Sequence, residues 1–178
     1  MDQKESSLLT AFPPIASKDA RVLVLGSMPG QKSLDHQQYY AHPGNSFWKI
    51  ICDTTESVAN DYEARKAIVL KNNIAVWDVL LHCERPGSLD SNIKSGSMVC
   101  NDFRTFFSQH KKISSILFNG KTAERVYRRH VEEPHPDLYE SLPAKPVLYP
   151  LPSTSPAMAS LKYHEKLDIW SKALAGSS

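Results

Sequence analysis

Four short segments of nearly continuous apolar character predict the strands of a parallel sheet. They are residues 21–26 (RVLVLG), 73–80 (NIAVWDVL), 113–120 (ISSILFNG) and 146–151 (PVLYPL). All four are rich in leucine and β-branched residues, which favour strands. Strands with one solvated face alternate between apolar and polar residues, whereas strands covered on both faces are apolar throughout. The pattern therefore predicts strands buried between two layers.

Helical patterns separate these strands and complete an alternating order. They cover residues 46–53, 61–72, 102–110 and 121–130. A last helix is expected to open near residue 155, with Ser155 as its N-cap and Pro156 at its first position. Its apolar stripe would be Met158, Leu161, Leu167 and Trp170. The order β-α-β-α-β-α-β-α predicts an α/β protein, a three-layer α/β/α sandwich with a central four-stranded parallel sheet.

The length of 178 residues suits one domain with one core. We expect an N-terminal arm at residues 1–18, a single domain at residues 19–175, and a loop at residues 132–146. A composition of 41% hydrophobic and 22% charged residues is typical of globular proteins. No apolar run is long enough to cross a membrane, and the first residues do not resemble a signal peptide. We therefore expect an intracellular protein, in the cytoplasm or nucleoid, or in the nucleus of a eukaryote, without a membrane partner.

The charge and the cysteines narrow the function classes only slightly. A net charge of +2 neither requires nor excludes a nucleic-acid partner. Cys52, Cys83 and Cys100 are too few and too widely spaced for a disulfide framework, a zinc site or an iron–sulfur cluster. The seven histidines form no H-E-x-x-H motif. We expect no metal, although His42 and His82 could support a site.

The loops that follow the predicted strands carry the candidate chemistry, because ligands of open parallel sheets bind beyond the carboxyl ends of the strands. Gly26, Ser27, Met28, Pro29 and Gly30 allow close approach of a ligand to backbone amides, or form only a tight turn. Asn45 and Phe47 follow a proline-glycine entry at residues 43–44. They could place an amide and a ring over a ligand, or could only cap and pack the next helix.

Two further loops suggest contacts with phosphate. Ser153, Thr154, Ser155 and Pro156 would form an anion site at a helix N-terminus, although a capped helix start explains Ser155 and Pro156 equally well. Asn119, Gly120 and Lys121 form a second strand-to-helix turn. Lys121, Arg125, Arg128 and Arg129 lie on or near one helical face, which a solvated surface also explains.

These motifs, in this order, resemble the uracil-DNA glycosylase superfamily. The matching motifs are "GSMPG", "YYAHPGNSFWKI", "FNGKTA" and "LPSTSPA". Residues 41–50 are especially similar to mismatch-specific uracil/thymine glycosylases. The opening motif, residues 77–93 and "PSTSPA" most resemble the hypoxanthine-DNA (deoxyinosine) glycosylase branch. The resemblance extends over roughly residues 20 to 172.

The resemblance implies a uracil-DNA glycosylase-like fold and a function. A deaminated base would be flipped out of DNA and its N-glycosidic bond hydrolysed without metal or cofactor, by a protein we expect to be monomeric. Phe47 would stack on the base. The pocket would comprise Gly26, Ser27, Met28, Pro29, Gly30, Tyr40, Asp78 and Asn119. Residues that would contact DNA are Ser153, Thr154, Ser155, Pro156, Gly120 and Lys121.

The chain departs from the superfamily at Met28, where many members carry an Asp or Asn that positions the attacking water. A thioether cannot hold or activate water. In the hypoxanthine branch the resemblance transfers this role to Asn45, which would act by positioning rather than as a base. Hydrogen bonds from loop amides, or from side chains near Asp78 and Asn119, would stabilise the departing base, although Asp78 could instead brace its loop.

Three functions stay open at the level of sequence. The first is a monofunctional glycosylase that removes hypoxanthine, uracil or xanthine. The second is an inert protein that binds lesions, which the methionine at position 28 would explain. The third is an α/β hydrolase that acts on free nucleosides with the same glycine and hydroxyl loops.

Overall fold

The structure is a computed structural model that describes residues 8–177. Its strands are β1 (Leu8–Thr10), β2 (Val22–Gly26), β3 (Ile74–Asp78), β4 (Leu80–Glu84), β5 (Val99–Cys100), β6 (Ser115–Asn119) and β7 (Val147–Leu151). Its α-helices are α1 (Gln31–His36), α2 (Phe47–Thr54), α3 (Tyr62–Lys71), α4 (Phe103–Gln109), α5 (Lys121–Tyr127) and α6 (Tyr163–Gly176). A π-helical turn, Arg128–Glu132, extends α5.

The central sheet has the order β3-β2-β6-β7, and all of its neighbouring pairs are parallel. β2 and β3 are buried along their whole length, as their uninterrupted apolar sequences predict. Alternate residues of each strand point to opposite faces. In β2, Leu23 and Leu25 pack with α4 and α5, whereas Val22 and Val24 pack with the helices of the other layer, α2, α3 and α6. The predicted three-layer sandwich is confirmed.

A small antiparallel sheet, with the order β1-β4-β5, was not predicted. The segment expected as one strand at residues 73–80 divides at Val79, and the chain passes from the central sheet into β4. The backbone amides of Val79 and Leu80 donate to the carbonyl oxygens of Gly26 and Ser27. This division therefore ties the end of β3 to the first loop.

Residues 8–15 of the N-terminal segment pair with both sheets. Leu8–Thr10 pairs with β4, and Ile15 forms a bridge with Val76 of the central sheet. Residues 1–7 of the expected arm lie outside the described residues. The boundary at residue 19 stays a prediction. Among residues 8–177, none of the helices has the length and apolar character needed to cross a membrane.

The prediction of a helix start at Ser155 is wrong, because α6 begins at Tyr163. Ser155 does not cap a helix: its Oγ accepts from the amide of Ala157 at 3.2 Å, and its carbonyl oxygen accepts from Met158 at 3.0 Å. Serine side chains compete for backbone amides in this way and favour turns over helix. Pro156, Met158 and Leu161 therefore precede the helix, whereas Trp170 is fully buried within it.

The actual start of α6 uses different residues. The carboxylate of Glu165 accepts from the amide of Lys162 at 2.7 Å, which satisfies an amide just before the first helical turn. The ammonium group of Lys166 donates to the carbonyl oxygen of Met158 at 2.7 Å. These two bonds fix the turn at residues 155–162 against the helix that follows it.

Candidate active site

Three polar or flexible residues end adjacent strands at one edge of the central sheet. Gly26 ends β2, Asp78 ends β3 and Asn119 ends β6, and Gly26 and Asp78 are register partners. A cavity of about 530 Å³ opens above this edge. Such a volume is within the usual range for ligand sites. The strand ends and the loops after them therefore meet as the parallel sheet predicts.

Most of the sequence-predicted site residues line this cavity. They are Gly26, Ser27, Met28, Pro29, Gly30, Tyr40, Asn45, Asp78, Asn119, Ser153, Thr154, Ser155 and Pro156. His42 also lines it. Phe47, Gly120, Lys121 and His82 do not, and His82 lies instead in β4, beside Thr10 of β1.

Gly26 is required by the close approach of two side chains. A Cβ atom at this position would lie 2.5 Å from Asp78 Oδ1 and 3.1 Å from the Tyr40 hydroxyl. The first distance is far shorter than a van der Waals contact. By contrast, a Cβ atom at Gly30 would meet nothing within 4 Å. Of these two glycines, only Gly26 must lack a side chain for Asp78 and Tyr40 to keep their positions at the floor of the cavity.

Asp78 is a buried carboxyl group with an incomplete set of hydrogen bonds. It is only 3% exposed, and its Oδ2 has no hydrogen-bond partner among the described residues. Burial and the nearby charge of Asp90 raise its pKa to about 7, against a weaker opposing effect of Arg85. Asn101 donates to the carbonyl oxygen of Asp78 at 2.8 Å, which holds the strand end but leaves the carboxyl group unbonded.

An arginine that the sequence analysis missed braces the first loop. The side chain of Arg85 is completely buried and donates to the carbonyl oxygen of Pro29 at 2.6 Å and of Gly87 at 3.0 Å. Its guanidinium lies 3.9 Å from Asp90, which accepts a hydrogen bond of 2.6 Å from Ser27. Both charged residues lie within residues 77–93, the segment that carries the family resemblance. The resemblance pointed to this segment, but not to either side chain.

Met28 contributes an apolar side chain at the position where many superfamily members carry Asp or Asn. It is 6% exposed, lines the cavity and belongs to the hydrophobic core. Its backbone carbonyl faces the Arg85 guanidinium at 3.5 Å. Position 28 therefore offers the cavity no side-chain oxygen or nitrogen that could hold water.

Asn45 lines the cavity and bonds to the first residue of α2. Its Oδ1 accepts from the backbone amide of Phe47 at 3.0 Å, and its own backbone amide donates to the carbonyl oxygen of His42 at 2.9 Å. The N-cap of α2 is Ser46, so Asn45 stabilises the helix start from the preceding position. A carboxamide oxygen has two lone pairs, so one acceptor position on Oδ1 stays free for a ligand or water.

The aromatic residues that line the cavity include Tyr39 and Tyr40, but not Phe47. Phe47 is fully buried, and its ring centroid lies 4.1 Å from that of Tyr40 and 4.9 Å from that of Trp48. Tyr40 adopts a left-handed backbone conformation with φ of 53°, which is unfavourable for a residue with a side chain. Its hydroxyl is buried and, among residues 8–177, makes no hydrogen bond of normal geometry, although the Asn119 side chain lies near it. Direct stacking of a ligand on Phe47 would require Tyr40 to move.

Asn119 braces the last loop through a two-point contact. Its Nδ2 donates to Thr154 Oγ1 and its Oδ1 accepts from the Thr154 amide, both at 2.9 Å. The carbonyl oxygen of Thr154 then accepts from the amide of Ser46 at 3.0 Å. Thr154 is 1% exposed, so it serves mainly as a buried link between β6, the last loop and the start of α2.

The last loop is not the open row of helix amides that the sequence suggested. The amide of Ser155 donates to Ser153 Oγ at 3.1 Å, and the amide of Ala157 donates to Ser155 Oγ. The helix that follows this loop, α6, begins only at Tyr163. Its N-terminal amides and dipole are therefore not at the loop. Any contact with phosphate here would come from the serine hydroxyl groups.

Gly120 and the basic residues of α5 lie beside this loop. Gly120 has φ of 98°, and a Cβ atom there would lie 3.1 Å from that of Ser153. Lys121 and Arg125 are exposed. Arg128 instead pairs with Glu124 and Glu132 of its own helical segment. Lys121 and Arg125 are thus the better placed of these cations to meet an external anion.

The part of the chain that the structure describes contains no group of three or more histidine, cysteine, aspartate or glutamate residues that could hold a metal ion. All three cysteines are free, and burial raises the pKa of each thiol. The polar groups that line the cavity are amides, hydroxyls, the His42 imidazole and the Asp78 and Asp90 carboxyl groups.

A parallel α/β sandwich with a cavity at the carboxyl ends of its strands is typical of proteins that bind a ligand at this edge of the sheet. The family model of the uracil DNA glycosylase superfamily matches residues 13–174. The chain belongs to this superfamily.

Similar proteins are found in two Methanosarcina species. The hypoxanthine DNA glycosylase of Methanosarcina barkeri is 36% identical over 114 residues, which cover 62% of this chain and 70% of the relative. The hypoxanthine DNA glycosylase of Methanosarcina acetivorans is also 36% identical over 114 residues, with coverages of 63% and 71%. The solution NMR structure of a proposed uracil DNA glycosylase from M. acetivorans superposes with a TM-score of 0.77 at 27% identity, over 96% of this chain and 98% of that chain.

Proposed function

We propose that the protein is a monofunctional DNA glycosylase that flips a deaminated base out of DNA and hydrolyses its N-glycosidic bond, with hypoxanthine as the preferred base. The observation that carries the proposal is the cavity of about 530 Å³, at whose walls the four motif segments meet. Membership of the superfamily and two hypoxanthine DNA glycosylase relatives support the same reaction and base.

In this proposal Asn45 positions the attacking water. The bond from the Phe47 amide to Oδ1 fixes the carboxamide, and the second lone pair of Oδ1 accepts a hydrogen bond from the water. The water oxygen then keeps a lone pair directed toward C1′ of the sugar. A strong base is unnecessary because the sugar develops an oxocarbenium-like cation as the bond to the base breaks.

The reaction balances without a cofactor. The bond between C1′ and the base breaks, and its electron pair leaves with the base. The water oxygen forms a new bond to C1′, and the proton that it releases neutralises the departing base. An abasic site and a free base result.

Tyr40 and the last loop fit the handling of DNA in this reaction. Tyr40 lines the cavity, with the tilted ring of Phe47 packed against it, so Tyr40 can contact an extruded base. The hydroxyls of Ser153 and Ser155, together with the exposed Lys121, can contact backbone phosphates. Flipping costs least at a mismatched pair, so release should be fastest from mispaired or single-stranded targets.

The test is base release from labelled DNA carrying inosine, uracil, xanthine or thymine opposite each normal base. We expect hypoxanthine release by the wild type and a fall of about 100-fold for Asn45→Ala. Asn45→Asp keeps a side-chain oxygen that can accept from both the Phe47 amide and the water, so it should retain much more activity than Asn45→Ala. Asn60→Ala, at an exposed asparagine outside the cavity, is the matched control.

The outcomes separate the functions that the sequence leaves open. Release that survives Asn45→Ala would keep the enzyme but remove Asn45 as the water-positioning residue. Tight binding of an inosine duplex without release would indicate an inert lesion-binding protein, as Met28 suggests. Hydrolysis of free inosine without a requirement for DNA would overturn the proposal in favour of a nucleoside hydrolase.

A further inference from the structure

Two buried oxygen atoms have no hydrogen-bond partner among residues 8–177: Tyr40 Oη and Asp78 Oδ2. Folded proteins pair nearly all buried polar atoms, so each exception requires an explanation. Both residues line the cavity, and Asp78 Oδ1 and Tyr40 Oη both lie beside the space that a Cβ atom on Gly26 would fill. Two unsatisfied groups at one place on a cavity wall mark the position where a ligand supplies the missing partners.

The surroundings of Asp78 do not provide for a negative charge. Among the described residues, it forms no salt bridge within 4.0 Å. The charged groups that face it are Arg85 and Asp90, both from the segment after β4. Arg85 is already bonded to the carbonyl oxygen of Pro29 and lies near Asp90, so its charge is shared.

The remaining titratable groups around Asp78 are tyrosines. Tyr39 and Tyr40 come from the segment after α1, and Tyr62 comes from α3. Burial raises the pKa of all three, so none is an anion near neutral pH, and none supplies a positive charge. An ionised carboxylate in such a place would be buried without a partner, which costs several kcal/mol.

We propose that Asp78 acts as a neutral carboxylic acid that donates a hydrogen bond to the departing base. The inference rests on the proposed glycosylase function. A neutral acid offers one donor and one acceptor side by side, which matches the N1–H and O6 groups of hypoxanthine. As the base takes the electron pair of the breaking bond, O6 becomes more negative and the bond from the acid strengthens.

An ionised Asp78 would have the opposite effect. It could accept from N1–H but could not donate, and its charge would oppose the charge that develops on the base. In the neutral form the proton stays on Asp78 through bond breaking, because the attacking water supplies the proton that neutralises the base. The rate should therefore follow the fraction of Asp78 that is protonated.

The experiment is the rate of hypoxanthine release in single turnover between pH 5.5 and 9, for the wild type, Asp78→Asn and Asp78→Ala. An asparagine at position 78 is a permanent donor of nearly the same shape. We expect the wild-type rate to fall about tenfold per pH unit above about pH 7, near the pKa of Asp78. Asp78→Asn should stay within about tenfold of the wild type at pH 6 and lose this fall, and Asp78→Ala should be at least about 100-fold slower at every pH.

The substrate titrates identically with every variant, so a difference between the wild type and Asp78→Asn reports the carboxyl group. Asp168→Asn is the matched control, since Asp168 is an exposed residue of α6 that pairs with Lys172. Thermal unfolding of each variant checks that it is folded. A second measurement, the ¹³C chemical shift of the Asp78 carboxyl carbon against pH, should give a midpoint near the pKa of about 7.

The results distinguish the inference from the function on which it rests. Hypoxanthine release that is independent of pH between about 7 and 9, or a folded Asp78→Asn as slow as Asp78→Ala, would overturn the neutral acid and keep the glycosylase. A carboxyl midpoint near the ordinary value of 3.8 would also overturn it. Absence of release from every substrate by the wild type would overturn the glycosylase, and the inference with it.

Discussion

Replacing Asp78 with asparagine should change how the free energy of unfolding depends on pH, whatever the protein's substrate. In the folded chain the pKa of Asp78 is about 7, against an ordinary value of 3.8. Between these values the folded protein binds more protons than the unfolded protein, so its stability falls as the pH rises. Above about pH 7 the loss is complete, and below about pH 4 it vanishes. The asparagine variant has no titratable proton at this position and shows none of this loss.

The size of the effect follows from the separation of the two pKa values. Each pH unit between them contributes about 1.4 kcal/mol, so the full difference amounts to about 4 kcal/mol. That is a large part of the roughly 5–15 kcal/mol by which ordinary domains are stable. At pH 8 the asparagine variant should therefore be more stable than the wild type by up to about 4 kcal/mol, with near equality at about pH 4.

The assay is urea unfolding of the wild type and Asp78→Asn at pH 5, 6, 7 and 8. Tryptophan fluorescence is a suitable signal because Trp48, Trp77 and Trp170 are all buried. Taking the difference between the two proteins cancels most of the contribution of other titrating groups. Asp168→Asn, at an exposed ion pair, should show no such trend. A difference between wild type and Asp78→Asn that stays constant from pH 5 to 8 would refute the reasoning.

Two further predictions concern the floor of the cavity and its DNA contacts. Gly26→Ala places a methyl group 2.5 Å from Asp78 Oδ1 and should cost about 1–3 kcal/mol of stability in urea unfolding. Gly30→Ala meets nothing within 4 Å and should change stability by less than about 0.5 kcal/mol, so equal losses would contradict the geometry. Lys121→Ala should lower the slope of log affinity against log salt for an inosine duplex by about one, and an unchanged slope would remove Lys121 from the DNA contacts.

The central sheet was predictable because its signal is local. β2 and β3 are buried along their whole length, and a run of apolar residues reports this directly. The small second sheet was not predictable, since β1 has three residues and β5 has two. In β4 the buried residues are Leu80 and Cys83, with partly exposed residues between them. Buried and exposed positions therefore do not alternate regularly along this strand. Such strands form because the fold brings partners to them.

The start of α6 shows a different limit. Ser155 followed by Pro156 is a sound N-cap signal, but the same serine also satisfies a turn through the amide of Ala157. Which of the two forms depends on Thr154, which Asn119 and Ser46 hold from other parts of the chain. Sequence spacing within the loop contains no information about those partners.

The positions of the site residues were predictable, but their directions were not. Parallel strands bring Gly26, Asp78 and Asn119 to one edge, and the sequence was sufficient to expect this. It also indicated aromatic rings near the cavity. Whether Tyr40 or Phe47 faces the cavity depends on the left-handed backbone at Tyr40, which no residue type signals. The bonds of Asn119 to Thr154 likewise depend on side-chain direction.

Arg85 and Asp90 escaped notice because charged residues in a polar loop are ordinarily solvated. Here the guanidinium is buried beneath the first loop, where it bonds to the carbonyl oxygen of Pro29. Its burial requires that the loop after β4 fold back over residues 26–30, which is a tertiary event. The family resemblance of residues 77–93 pointed to the segment but to neither of these side chains.

Three departures from ordinary protein chemistry coincide at one point of the cavity wall. Among the described residues, Asp78 Oδ2 and the Tyr40 hydroxyl are buried without a partner, Tyr40 has an unfavourable φ, and Gly26 is crowded by both side chains. The unpartnered buried oxygens and the φ of Tyr40 lower the stability of the folded chain, and a small apolar side chain at position 78 would avoid the buried carboxyl group. Arg85 and Asn101 already hold the first loop and the end of β3, so bracing alone does not explain these unfavourable features. Because local rules are most often broken at functional sites, the coincidence supports a ligand that completes the hydrogen bonds of Asp78 and Tyr40 together.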